Sequence, residues 1–138
     1  MDVSEQVTTA PRVLVADDEP DIRDLVCLAV RRAGGTVVRA VADGTAALAG
    51  AREERPDLAV LDVSMPEASG LEVCLALRAD AATAATRVLL LSAGASDEDV
   101  ARGLSAGADA YLVKPFAVAD LVEQVRRLTA APIREVRS

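Results

Sequence analysis

Residues 12–26 read RVLVADDEPDIRDLV. An unbroken apolar run, Val13 to Ala16, gives way to three acids and a proline. Apolar residues then return at Ile22, Leu25, Val26, Ala29 and Val30, ending before Gly34–Gly35. A short continuous Val/Leu run is what a strand looks like when both of its faces are covered. The later spacing is that of one helix face, and Pro20 suits a first helical position. The stretch therefore reads as a strand feeding directly into a helix.

The same unit recurs along the chain. Apolar runs begin at Arg12 (RVLVA), Thr36 (TVVRAV), Asp57 (DLAVLD), Arg87 (RVLLLS) and Ala110 (AYLV). Hairpins would place such runs about 8–12 residues apart; here the intervals are about twice that or more, as crossover helices require. Asp43–Gly44 opens a second, Ala-rich helix that stops before Pro56. Ser69–Gly70 opens a third, with Leu71, Cys74, Leu75 and Leu77 expected inward. Ser96 and Asp99 suggest a capping box for a fourth helix, whose apolar stripe is thin: Val100, Leu104 and two glycines, Gly103 and Gly107. A fifth spans about 118–128, with Leu121, Val122, Val125 and Leu128 inward. The expected fold is α/β, a (βα)5 doubly wound, five-stranded parallel sheet with helices on both faces. Residues 1–10 are expected to be a disordered tail, 11–129 one domain, and 130–138 a tail or the start of a linker.

Composition narrows the function classes. The 138 residues carry a net charge of −7, which argues against gripping nucleic acid phosphates or an anionic membrane. Histidine is absent, so histidine-based acid–base chemistry and zinc ligation by histidine are excluded. Cys27 and Cys74 sit in apolar patterns with no CxxC, as buried thiols of a reducing compartment do. The opening MDVSEQVTTAP lacks the apolar stretch of a secretory signal, and no run reaches the ~18 apolar residues of a spanning helix. A cytoplasmic protein is expected.

In parallel sheets of this kind, ligands bind beyond the carboxyl ends of the strands. Strand one ends in Asp17–Asp18–Glu19, strand three in Asp62, strand four in Ser92–Ala93–Gly94 and strand five in Lys114–Pro115. Each alone has a plain structural explanation. Acids suit a helix start, a strand-end Asp or Ser bonds locally, and a lysine is usually a solvated cation. The lysine is less easily dismissed. YLVKPF (111–116) holds the chain's only Lys, only Tyr and only Phe, while fourteen arginines carry the remaining positive side-chain charge. That points to a need for a compact ammonium rather than a planar fork.

Together these residues describe one chemistry. Clustered carboxylates repel by about 1–4 kcal/mol per pair at 4 Å, and a bound Mg²⁺ removes that cost. Two carboxylates and a backbone carbonyl suffice to hold it, because Mg²⁺ keeps several waters. A carboxylate can then attack a phosphoryl group, with Lys114 and the Ser92 hydroxyl meeting the transferred charge.

The stretches VLVADDEPDIRDLV, PDLAVLDVSMPEASGLEV, LLLSAGAS and GADAYLVKPF together resemble the receiver domain of bacterial two-component response regulators, over about 12–128. The resemblance implies the flavodoxin-like strand order 2-1-3-4-5. It implies that Asp62 is the phosphoacceptor, and that Asp18 binds Mg²⁺ directly while Asp17 acts mainly through a metal-bound water. Ser64 would give its backbone carbonyl to the metal, and Lys114 would pair with the phosphoryl group. Pro115 would follow an often cis bond. Ser92 and Tyr111 would be the switch pair, Tyr111 turning inward as Ser92 moves toward the phosphate. Implied partners are a sensor histidine kinase or phosphotransfer protein and a downstream effector, with phosphorylation-dependent homodimerisation open. Ala110 and Gln124 stand where the winged-helix subfamily usually has an acid and an arginine that pair across a dimer, which puts that dimer in doubt.

Two other readings remain. One is a phosphorylation-independent protein-binding module that keeps the fold. The other is an aspartate-nucleophile phosphatase of the haloacid dehalogenase type, which needs a second acid two residues after its nucleophile, where this chain has Ser64. On the favoured reading the chain is a signalling module, not an enzyme acting on other substrates.

Overall fold

The computed structural model describes residues 10–130, so all but the innermost residue of each expected tail lies outside the described part. Strands and helices alternate: β1 (Arg12–Ala16), α1 (Pro20–Arg32), β2 (Thr36–Val41), α2 (Gly44–Glu54), β3 (Leu58–Asp62), α3 (Gly70–Ala79), β4 (Arg87–Ser92), α4 (Asp97–Ser105), β5 (Ala110–Val113) and α5 (Val118–Leu128). All pairings are parallel, in the order β2-β1-β3-β4-β5.

The unbroken apolar runs are explained by a core on each side of the sheet. Because side chains alternate along a strand, Val13, Val15, Leu58, Val60, Leu89 and Leu91 face α1 and α5. Leu14, Ala16, Ala59, Leu61, Val88 and Leu90 face the opposite way, toward α2 and α3. Those twelve residues are fully buried. Cys27 belongs to the first core and Cys74 to the second. The sheet lies between the two free thiols, and burial pushes both pKa values up.

Two inward assignments are corrected. Leu75 is 55 % exposed, because Val73, Cys74 and Leu77 already fill the α3 face that meets the sheet. Leu104 is 48 % exposed; α4 turns Gly103 inward instead, followed by its buried C-cap residue Ala106, so its thin apolar stripe reflects a close approach of small residues.

Helix starts follow local chemistry. The Asp43 side chain accepts from the Ala46 amide at 2.7 Å. The reciprocal capping box is found at α3, where Ser69 Oγ accepts from the Glu72 amide and Glu72 from the Ser69 amide. At α4, Ser96 Oγ accepts from the Asp99 amide, while the Asp99 carboxylate pairs with Arg102.

The start of α3 lies hard against the end of β3. A Cβ on Gly70 would stand 2.5 Å from the Asp62 carbonyl oxygen and 3.1 Å from Val63 Cα, and the Gly70 amide donates to the Val63 carbonyl. A Cβ on Gly44 would likewise collide with the Ala68 carbonyl. Gly70→Ala must therefore displace backbone, and overpacking of that kind costs about 1–3 kcal/mol. Urea unfolding should show a loss in that range.

Candidate functional site

The strand order brings the ends of β1, β3, β4 and β5 side by side, which gathers residues separated by nearly a hundred positions. Asp17 follows β1, Asp62 ends β3, Ser92 ends β4 and Lys114 follows β5. Backbone bonds continue the sheet past its formal ends. Asp17 N–H donates to the Val41 carbonyl, Val63 N–H to Leu91 and Lys114 N–H to Ser92. The acids thus start from a rigid rim. The Lys114–Pro115 bond is cis.

Lys114 reaches back across the sheet. Its Nζ stands 3.2 Å from Asp17 Oδ2, 3.2 Å from Glu19 Oε1 and 3.2 Å from Asp62 Oδ1. Its side chain is only 15 % exposed, and Asp17 is fully buried. Asp17 is held further: its Oδ1 accepts from the Glu19 amide at 2.9 Å, and its carbonyl accepts from Arg23. Burial, and then the Asp17 charge, push the Asp62 pKa up to about 6, against a downward pull from Lys114. Burial opposes the charge on Lys114, but Asp62 and Asp17 outweigh it and hold the ammonium above its ordinary value.

Asp17, Asp18, Glu19 and Asp62 can each offer a carboxylate oxygen such that all four oxygens lie within 4.8 Å of one another. Asp18 and Glu19 face solvent, whereas Asp17 and Asp62 are buried. An all-oxygen set with open positions toward water fits Mg²⁺, a hard cation that keeps part of its hydration. Ser64 lies next to this set, its amide 3.4 Å from Asp62 Oδ1.

Ser92 and Tyr111 meet on one residue between them. The Gly94 amide donates to Ser92 Oγ at 3.0 Å, and Tyr111 Oη donates to the Gly94 carbonyl at 2.8 Å. Tyr111 packs against the core on the α2–α3 side. Gly103 leaves room for it there: a Cβ at 103 would lie 2.8 Å from the tyrosine ring. Phe116 packs against the other core, beside α5.

Three contributors were not singled out from the sequence. Glu19 was placed on the rim within the Asp17–Asp18–Glu19 run but was given no role of its own. Gly94 and Gly103 act through a backbone and through the lack of a Cβ, neither of which residue type announces.

A cavity of about 440 Å³ lies at the opposite end of the sheet, lined by Arg78, Arg87, Arg127 and Asp109 among others. Its guanidiniums are engaged in holding the junction together. Arg78 donates to the Gly107, Ala84 and Thr86 carbonyls and to Asp109, and Arg87 to the Leu128 carbonyl. The acidic rim at the other end is therefore the candidate site.

Known proteins resemble this chain in sequence and fold. The model of the response regulator receiver domain matches residues 13–126. The transcriptional regulatory protein PrrA of Mycobacterium tuberculosis is 48 % identical over 120 residues, covering 87 % of this chain and 50 % of PrrA. The DNA-binding response regulator MtrA of Mycolicibacterium smegmatis is 40 % identical over 119 residues, 86 % of this chain and 50 % of MtrA. The chain spans about half the length of the curated relatives it matches. Among solved structures, the signal receiver domain of the putative response regulator NarL from M. tuberculosis superposes with a TM-score of 0.82 at 34 % identity, covering 88 % of this chain and 98 % of that one. The chemotaxis response regulator CheY4 of Vibrio cholerae does so with 0.80 at 37 %, covering 87 % and 99 %. With a family match over most of its length and relatives of this similarity, the chain belongs to the response regulator receiver domain family.

Proposed function

We propose that this chain is a phosphorylation switch. Asp62 accepts a phosphoryl group from a histidine kinase or phosphotransfer protein in a Mg²⁺-dependent reaction, and the change alters affinity for a downstream partner. The observation that carries the reading is the single lysine of the chain, whose ammonium stands against two buried carboxylates, one of them held at a pKa of about 6. With that value, roughly nine in ten copies of Asp62 are ionised at pH 7. The carboxylate is then a stronger nucleophile than an ordinary aspartate.

In the step, an Asp62 carboxylate oxygen bonds to phosphorus as the donor's bond to phosphorus breaks. The electron pair leaves with the donor, an imidazole or an acetate. Lys114, 3.2 Å from Asp62 Oδ1, would meet the charge of the transferred group. Asp18, Asp62, the Ser64 carbonyl and, through water, Asp17 would hold Mg²⁺, which when bound supplies a positive charge to the phosphoryl oxygens. Ser92 and Tyr111 would report the new state through Gly94, which both already touch. A cytoplasmic site of action, a sensor kinase as donor and an effector, or a second phosphorylated copy, as output complete the reading. No helix among the described residues is long and apolar enough to cross a membrane.

Incubation with acetyl phosphate and Mg²⁺ should give a single phosphate adduct by intact mass. Asp62→Asn or removal of Mg²⁺ should abolish it. An adduct that survives in Asp62→Asn would refute the assignment, and sustained turnover of external phosphomonoesters would favour the phosphatase reading instead.

The pH dependence of stability provides a second test. The folded protein holds the Asp62 proton more tightly than the unfolded chain, since the pKa rises from 3.8 to about 6. The contribution of Asp62 is therefore greatest below pH 4 and is lost as pH rises to about 6, a change of about 3 kcal/mol. In metal-free buffer, Asp62→Asn should remove that slope and be more stable than the wild type at pH 7, as read by urea unfolding between pH 4 and 7.

A further inference from the structure

A lysine ammonium has three N–H donors. In this site two of them go to the Asp17 and Glu19 carboxylates, and the Asp62 carboxylate pairs with the ammonium at the same 3.2 Å. Three carboxylates thus crowd the ammonium where an incoming phosphoryl oxygen would have to approach. If Lys114 is to pair with the transferred group, as the proposed function requires, one of the three carboxylates must leave it.

The three are not equally free to go. Asp17 is fully buried and tied at its other oxygen to the Glu19 amide. Asp62 is the acceptor itself and sits at the end of a buried strand. The Glu19 side chain is 61 % exposed and, among the described residues, bonds only to Lys114. It also has no capping duty: Glu19 occupies the N-cap of α1, but its side chain makes no cap hydrogen bond. A carboxylate there is favoured by the helix dipole, but any acid would serve that purpose.

We propose that Glu19 is a releasable latch on Lys114. In the unphosphorylated protein it occupies the ammonium donor that the phosphoryl group will use, and phosphorylation displaces it into solvent. It is a positioning residue that acts through Lys114 and opposes phosphorylation. Its strength is that of a largely exposed ion pair, worth a factor of about two to five.

The single lysine makes the latch directly readable. With ¹⁵N-lysine labelling, one side-chain signal reports Lys114. Glu19→Gln should shift that signal and lower the Lys114 pKa in metal-free protein. Initial phosphorylation by acetyl phosphate, with Mg²⁺ saturating, should rise about two- to five-fold. Glu19→Asp keeps the acidic charge at the helix start but is one methylene shorter, so it should resemble Glu19→Gln rather than wild type in both readouts.

An unshifted Lys114 signal in Glu19→Gln would overturn the latch. So would slower phosphorylation with a several-fold loss of Mg²⁺ affinity by calorimetry, which would make Glu19 a metal ligand. Behaviour of Glu19→Asp like wild type would assign the effect to the helix dipole and overturn it too. The inference rests on the proposed function, and the two fail separately. Absence of any adduct in wild type refutes the phosphoryl reading, whereas the lysine signal tests the latch without it.

Discussion

One ammonium among three carboxylates is the interaction on which the rest depends. Two buried aspartates at the ends of neighbouring strands would repel strongly in a site shielded from water. The fold tolerates them because Lys114 stands 3.2 Å from both. Even so the balance is incomplete: burial, and then the Asp17 charge, still push the Asp62 pKa up to about 6. The site is left short of positive charge, a condition that favours a hard divalent cation such as Mg²⁺.

The sheet exists, in functional terms, to impose that proximity. Its interior strands are buried on both faces and cannot shift register without moving apolar side chains out of a core. The rim therefore holds Asp17 and Asp62 in place. Lys114 reaches them from the edge, anchored through the Ser92 carbonyl. Glycines then let neighbouring parts approach, with Gly70 behind Asp62 and Gly103 beside Tyr111. Stability and the proposed function meet here, since a group that crowds the Asp62 backbone also moves the carboxylate proposed as the acceptor.

Much of this was legible in the residue order. Continuous Val/Leu runs at crossover spacing read correctly as five parallel strands, and the termini of α5 and its inward face follow from periodicity alone. The rim was legible because acids, serine and lysine fall just where apolar runs stop. What escaped the sequence depends on distance rather than pattern. Leu75 and Leu104 fit a helical stripe, yet Val73 and Gly103 hold the inward places. Glu19 has the same one-letter signature as any acid at a helix start, and only the reach of Lys114 gives it a role. Gly94 links Ser92 to Tyr111 through its backbone, which no side-chain reading exposes.

The central claim is that Lys114 offsets the charge of the buried acids until a metal does so. Unfolding of Lys114→Met at pH 7, with and without Mg²⁺, tests it most directly. Removing one partner of a buried ion pair costs about 3–5 kcal/mol. The account expects a loss of that order in metal-free buffer and substantial recovery on adding Mg²⁺. A variant as stable as wild type without metal, or one that Mg²⁺ does not rescue, would contradict it.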